Sequence, residues 1–380
     1  MNTSINYWFT IEPYVYINIV DKHALLYNTI DGELIESDKI DVITLLQELL
    51  KEKNCGVVLL ENNLYQQTDI KDFISNIREK YMGDIIDISL TNGKPIQVLP
   101  YFNYPTKRDK KCDFLLVENL FQTLSEITIH VDPTINIEKI INILYSIPEN
   151  ITFNIKGDWE YITNIHKLFL LLNHRYSSKN IECSYTHITV LDQNLKNNFS
   201  YKVSINFPID KQLWYKSLQL LQNQDLLYEY IFNVTSLSDC QKAEELVEEY
   251  QIQSYHLFPV YTGNNIEFFK KYVFMTQEDI FSTPISLKDI FSKLSMNMHD
   301  FGKFNIMSNG DVYANVKHPV LGNIYIHSIY ELIQKEIKEG KSWLRTRNQT
   351  PCCDCIYQYL CPSPSDYEIV IGKPNLCYIQ

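Results

Sequence analysis

The sequence predicts an α/β fold: a partial, open (β/α) barrel set between a small N-terminal α+β domain and a cysteine-rich C-terminal extension. Three observations carry this expectation. From about residue 96 to 262, short β-branched and aromatic runs alternate with helix-spaced stretches, the pattern of a parallel sheet covered by crossover helices. Ahead of them, apolar runs separated by tight turns read as hairpin strands. Behind them, five of the nine cysteines fall between positions 352 and 377. The divisions are drawn at residues 1–92, 93–298 and 299–380, and 380 residues are enough for two or three separate cores.

The first unit opens with Tyr14-Val15-Tyr16-Ile17-Asn18-Ile19-Val20, turns at Asp21-Lys22 and returns through Ala24-Leu25-Leu26-Tyr27-Asn28. A second turn at Asp31-Gly32 leads into Glu33-Leu34-Ile35-Glu36, and Ile40, Ile43, Leu46, Leu49 and Leu50 then recur at helical spacing. An apolar run from Val57 to Leu60 and a helical stretch from Asp69 to Lys80 complete the unit. In the middle segment the expected strands are Ile96–Leu99, Ile127–Val131, Ile151–Ile155, Tyr185–Leu191, Tyr201–Phe207, Tyr228–Val234 and Gln253–Phe258. Helices are expected at Leu115–Leu124, Ile137–Leu144, Trp159–Leu172, Leu213–Gln222 and Cys240–Glu249. About six strand-helix pairs favour an open barrel over a short doubly wound sheet. In the last segment Phe304-Asn305-Ile306, the turn Asn309-Gly310-Asp311 and Val312-Tyr313 form a hairpin pattern, and residues 328–339 carry helical spacing.

A net charge of −12 opposes binding to a phosphate backbone, which draws its affinity from Lys and Arg, so nucleic acid is not an expected partner. The longest apolar stretch, around Leu168 to Leu172, falls far short of the roughly 18 residues of a membrane span, and no membrane partner is expected. The residues after Met1 offer neither a basic nor an apolar region, so the expected location is cytoplasmic.

Even scatter would place roughly 0.6 cysteine between 352 and 377, so the cluster requires a chemical reason. Cys352 and Cys355 form a Cys-x-x-Cys pair whose spacing lets two thiolates from one turn reach one ion. Cys361 and Cys377 complete a set of four, and Cys353 is left over. Disulfides are the competing reading, disfavoured in a cytosolic chain. Zinc and iron-sulfur clusters both accept four thiolates, and spacing leaves the choice open. Cys55, Cys112, Cys183 and Cys240 are isolated and read as ordinary small residues.

The run Cys352-Cys353-Asp354-Cys355-Ile356-Tyr357-Gln358-Tyr359-Leu360-Cys361-Pro362-Ser363-Pro364, with Tyr367-Glu368 and Ile371-Gly372-Lys373-Pro374-Asn375-Leu376-Cys377, resembles the C-terminus of the pseudo-radical-SAM proteins of the GG-Bacteroidales peptide system. With Gly310-Asp311-Val312-Tyr313 and Leu321-Gly322-Asn323-Ile324, it also resembles the SPASM extension of radical-SAM peptide-modifying enzymes. A complete extension of that kind holds two auxiliary clusters. Here Asn315 and Ser365 stand where cysteines would be expected, and the connector before Gly310 has none, which implies loss of the first cluster. Cys352, Cys355, Cys361 and Cys377 match the set for the second, so the resemblance implies one [4Fe-4S] cluster, with zinc as the alternative.

By the same resemblance the middle segment is a degenerate radical-SAM barrel. The three-cysteine run that would hold the cluster for S-adenosylmethionine is missing, because Tyr101 to Leu116 contains only Cys112. Val131-Asp132-Pro133-Thr134 replaces the expected glycine-rich turn. No S-adenosylmethionine is therefore expected, its reductive cleavage is expected to be absent, and no catalytic residue is assigned. The implied role is a partner protein in ribosomal peptide modification, binding a precursor peptide or an active radical-SAM enzyme. The N-terminal unit resembles leader-peptide recognition domains, which implies that a peptide adds a strand near Tyr14–Val20. Two alternatives stand beside this. One is repurposed chemistry at a barrel mouth where His130, His187 and His256 converge with Asp132, and the other is electron relay through the single cluster.

Overall fold

The computed structural model describes residues 5–99, 120–157, 159, 162–188, 199–223 and 226–379. At the N-terminus, β1 (Tyr7–Ile11), β2 (Val15–Val20), β3 (His23–Asn28), β4 (Leu34–Ser37), β5 (Val57–Leu60) and β6 (Gly83–Asp87) form two three-stranded sheets. One is the antiparallel meander β2-β3-β4, and the other has β1 between β5 and β6. The reading along the sequence missed β1, whose aromatic run Tyr7-Trp8-Phe9 occupies the centre of its sheet. Helices Ile40–Leu49 and Thr68–Glu79 pack their apolar stripes on this core.

The meander is buried on both faces. Val15, Ile17, Ala24, Leu26 and Ile35 face the N-terminal core. Tyr16, Leu25 and Tyr27 instead join Ile280, Ile285, Ile290, Tyr357, Leu360 and Cys361. This double burial explains why both hairpin strands read as nearly continuous apolar runs, since strict alternation needs one wet face. The Tyr27 hydroxyl accepts from the Ile285 backbone N–H at 2.8 Å. The Asn18 side chain donates to the Ile356 carbonyl at 2.7 Å, and the Tyr357 hydroxyl donates to Glu36 at 2.5 Å. The expected strand Ile96–Leu99 does not form. Instead Gln97 N–H donates once, to the Cys55 carbonyl, where Gly56 at φ +69° leaves no room for a Cβ beside the Gln97 carbonyl.

The middle of the chain supplies six parallel strands, β7 (Glu126–Val131), β8 (Thr152–Gly157), β9 (Lys179–Ser184), β10 (Ser200–Asn206), β11 (Leu227–Val234) and β12 (Tyr255–Pro259), paired in sequence order. Helices Ile137–Leu144, Ile165–Asn173, Lys211–Asn223 and Leu237–Tyr250 lie between them. Beyond β7 the sheet continues through β13 (Lys303–Ile306, parallel), β14 (Asp311–Tyr313) and β15 (Gly322–Asn323), the last two antiparallel. The sheet thus crosses residue 298 without a break. It is open, because among the described residues β12 and β15 each pair on one side only.

Three expected elements shift, the helix expected at Trp159–Leu172 running Ile165–Asn173. Of the strand expected at Tyr185–Leu191, residues 189–191 lie outside the described residues, and Tyr185 to Ile188 turn away, with His187 N–H bonded to the Ser184 carbonyl, while Lys179–Ser184 forms the strand β9. Of the helix expected at Leu115–Leu124, residues 120–124 lie within the described residues, and Leu120–Thr123 is a short 3-10 turn.

One sheet face carries the core, including Ile127, Ile129, Phe153, Ile155, Ile181, Val203, Phe232 and Val234. The other is polar and half-exposed. Parallel register aligns His130, Lys156, Glu182, Lys202 and Glu229 in one row across five strands. Lys156 meets Glu182 at 2.6 Å, Lys202 meets Glu229 at 3.5 Å, and Lys303 meets Glu126 at 3.6 Å. Asn180 donates to Asn154, which donates to Glu126. Alternating charges on neighbouring strands pair along this face. Among the described residues, no helix is long and apolar enough to cross a membrane.

Candidate metal centre

Tight turns gather the first three thiols. Cys352 opens a 3-10 turn, and Cys355 N–H bonds back to the Cys352 carbonyl. Cys361 N–H then bonds to the Tyr357 carbonyl, returning the chain to the same side. Cys377 arrives from the far end on a parallel bridge to Met275, held by Met275 N–H to Leu376 O at 3.0 Å and Tyr378 N–H to Met275 O at 3.1 Å.

All four are free thiols, with Cys352 and Cys361 buried and Cys355 and Cys377 half-buried. They line one cavity of about 940 Å³. Cys353 does not line it, and its Sγ lies against Thr350 Oγ1 and Asp354 Oδ2. Among the described residues no set of three or more His, Cys, Asp and Glu side chains is arranged to hold a metal ion as it stands. The four sulfurs share a chamber without closing on a point, whereas tetrahedral zinc needs them at about 2.3 Å from one ion.

The chamber's electrostatics suit thiolates bound to a cation better than bare thiolates. Burial pushes the Cys361 thiol up to about 12, and raises Cys352 and Cys355 as well. The neighbouring thiols oppose one another's ionisation in each case, while Arg347 favours it. Arg347 is buried, with Nη1 at 3.7 Å from Cys352 Sγ and Nη2 at 3.1 Å from Glu368. The Asn375 side-chain amide donates to Cys377 Sγ at 3.2 Å, and the Tyr357 backbone N–H bonds to Cys355. Lys293, its pKa lowered by burial, donates to the Leu360 carbonyl beside Cys361. Such N–H···S bonds and buried cations are what stabilise and tune a thiolate-held centre. By the chemistry of the donor set, four free thiols around one chamber with compensating cations, these residues fit a thiolate-bound metal group.

Sequence reasoning did not single out Arg347, Lys293 or Asn375, since their approach to sulfur depends on tertiary folding rather than spacing. It also missed that Val20–His23 and Asp38 of the N-terminal unit wall the same chamber. Asn315 and Ser365, the two positions read as replaced cysteines, are engaged within the protein. Asn315 donates to Asp300 at 2.9 Å and to Asp366 at 2.5 Å, and Ser365 caps the helix Asp366–Ile371 in a capping box with Glu368.

The histidine convergence weighed from the sequence does not form. His130 on β7 and His256 on β12 have β8 to β11 between them. His130 Nε2 is 3.1 Å from Asn305 Oδ1, and burial keeps its pKa low. His256 pairs with Glu229 at 3.2 Å on the exposed side, and His187 lies past the end of β9 against Thr186. Asp132 is engaged by Thr134. Cys112 lies outside the described residues.

No family model matches the chain, and no curated protein matches it. Among solved structures it is similar to the crystal structure of Streptococcus suis SuiB bound to S-adenosylmethionine, at 12% identity over 96% of this chain and 97% of that one, with a TM-score of 0.45. A likeness of that degree assigns no chemistry to these residues.

Proposed function

We propose that the chain is a degenerate radical-SAM-like protein, a non-catalytic partner in ribosomal peptide modification, that holds one [4Fe-4S] cluster on Cys352, Cys355, Cys361 and Cys377. It takes up no S-adenosylmethionine. The observation that supports this is an asymmetry in sulfur: four thiols share one chamber at the tail, while Tyr101 to Leu116 offers Cys112 alone. Four thiolates suit an iron-sulfur cluster and zinc alike, and the resemblance noted above favours the cluster. When bound, the cluster would cross-link the 352–361 turns to the segment at Cys377 and supply a one-electron redox group. The protein's own part is to exclude water by burial, to balance thiolate charge with Arg347, and to donate N–H groups to sulfur.

The partner is a precursor peptide or an active radical-SAM enzyme. A peptide would extend the N-terminal meander at β2, an edge strand of its sheet. The chamber's wall at Val20–His23 also supports a second reading, in which the cluster relays electrons to a docked partner.

Anaerobic purification followed by iron, sulfide and zinc analysis tests the site. Near-stoichiometric cluster iron, lost with Cys355→Ala, is expected, and zinc in its place would replace the cluster assignment. Incubation with S-adenosylmethionine and a strong reductant is expected to yield no 5′-deoxyadenosine above a protein-free control. Formation of that product would end the non-catalytic reading.

A further inference from the structure

The nine-stranded sheet ends on two unlike edges. At one of them β15 spans only Gly322–Asn323, too short to template a further strand. At the other, β12 runs Tyr255-His256-Leu257-Phe258-Pro259, and among the described residues no strand pairs with its outer side. Its register with β11 fixes which backbone groups are free. Tyr230 N–H donates to the Ser254 carbonyl at one end, and Val260 N–H donates to the Val234 carbonyl at the other, so the even-numbered residues of β12 face β11. The N–H and carbonyl groups of Tyr255 and Leu257 therefore point outward. Pro259 has the same phase, and its carbonyl accepts from the Tyr367 hydroxyl at 2.8 Å. Pro259 and Tyr367 thus close the edge at its far end and leave Tyr255 to Phe258 open.

Natural edges are commonly blunted by lysine, by a bulge or by a covering element. Here Tyr255, Leu257 and Phe258 are 38%, 37% and 51% exposed, and no lysine occurs from Gln251 to Pro259. Tyr255 and Leu257 lie beside Tyr230 and Phe232 on the core face, with the Tyr255 ring edge-on to Phe232. His256 lies on the polar face, where it meets Glu229 at 3.2 Å. An added strand would therefore set apolar side chains beside Tyr255 and Leu257 and polar ones beside His256. The surroundings also select its charge. Helix Leu237–Tyr250, which leads into β12, carries Asp239, Glu244, Glu245, Glu248 and Glu249 against Lys242 alone. Glu248 and Glu249 are exposed in its last turn, where the helix dipole adds to their negative charge. A second copy of this chain, at net charge −12, would bring the same acidic helix alongside and is opposed, whereas a basic strand is attracted.

We propose that the β12 edge docks an extended, basic peptide segment with alternate apolar residues, which adds to the sheet through the backbone of Tyr255 and Leu257. The site stands on this edge alone. Its success or failure is separate from that of the cluster assignment and of peptide addition at β2.

The test is fluorescence anisotropy of the full chain with a labelled Lys-Val-Lys-Val-Lys-Val-Lys peptide, beside the same peptide with Glu for Lys. Saturable binding of the basic peptide alone is expected. Leu257→Pro removes an outward N–H without breaking a bond to β11, and is expected to weaken binding about 10-fold. Leu257→Ala keeps that N–H and is expected to lose no more than about 3-fold. Glu248→Gln with Glu249→Gln is expected to weaken binding about 3-fold, and less at high salt. Hydrogen exchange resolved to single amides needs no variant. Tyr255 and Leu257 are expected to exchange fast in the free chain and to slow with peptide bound, while His256 and Phe258 are protected throughout. Protection of Tyr255 and Leu257 in the free chain, no binding of the basic peptide, or equal affinity for the acidic one would overturn the proposal. Binding undiminished in Leu257→Pro would also overturn it and leave β2 as the docking edge. Self-association of the free chain that is lost in Leu257→Pro would overturn it in favour of a second copy.

Discussion

Asp300 carries a stability cost that can be titrated. Its side chain is 8% exposed, accepts from Asn315 at 2.9 Å and has Arg345 at 3.5 Å. Burial pushes the carboxyl up to about 6 from its ordinary 3.8, and the nearby Asp366 charge adds to the rise, outweighing the lowering by Asn315 and Arg345. The folded chain therefore keeps a proton that the unfolded chain releases between about pH 4 and 6, and stability falls as pH rises through that window. A rise of roughly two pH units at about 1.4 kcal/mol each amounts to about 3 kcal/mol above pH 7. Acidifying from pH 7.5 to 5 is expected to recover about half of this, roughly 1.4 kcal/mol. His130, His299 and His318 act in the opposite direction, because burial lowers each pKa and the neutral ring is favoured in the fold. The informative quantity is therefore the difference between the wild type and Asp300→Asn, which keeps the oxygen that Asn315 bonds. Urea unfolding at pH 5 and 7.5 is expected to show the wild type gaining about 1.4 kcal/mol more than the variant on acidification. Parallel changes in the two proteins would refute the assignment of a raised carboxyl at this position.

Four further outcomes follow from single contacts. Tyr27→Phe leaves the Ile285 N–H, bonded at 2.8 Å, without an acceptor inside the core shared by the meander and the cysteine turns, and is expected to cost about 1–3 kcal/mol by urea unfolding. Gly157 has φ +133°, and a Cβ there would stand 2.2 Å from the Val131 carbonyl oxygen, so Gly157→Ala is expected to lose more than about 2 kcal/mol by the same measurement. Arg347→Gln breaks a buried pair with Glu368 at 3.1 Å, which is expected to cost about 3–5 kcal/mol, and a loss under 1 kcal/mol would show the pair to be dispensable. Metal uptake by the metal-free protein is expected to strengthen more than about tenfold per pH unit between 6 and 8, because thiols raised by burial must release protons to bind. Competition against a chelator measures this, and a pH-independent affinity would contradict it.

What could be read from the sequence divides along the range of the interactions. Local signals were legible: the hairpin turn at Asp21-Lys22, the helix over Ile137–Leu144, the hairpin through Gly310 and the Cys-x-x-Cys turn all depend on residues a few positions apart. What failed was local signal overridden by distant contact. Tyr185–Leu191 has the aromatic and β-branched content of a strand, yet the more polar Lys179–Ser184 takes that place because its alternate residues Ile181 and Cys183 fill the core between β8 and β10. The four thiols were identified by spacing, but the chamber around them was not, since Met275, Arg347 and the β2–β3 turn reach it from remote parts of the chain. Strands β7 to β10 largely alternate apolar with polar residues, as in Glu126-Ile127-Thr128-Ile129-His130-Val131 and Asn180-Ile181-Glu182-Cys183-Ser184. Parallel strands covered on both faces read as continuous apolar runs, and a filled barrel would need the same inside. Alternation in a parallel strand therefore requires one face to be held by polar pairing, and the row from His130 to Glu229 meets that requirement.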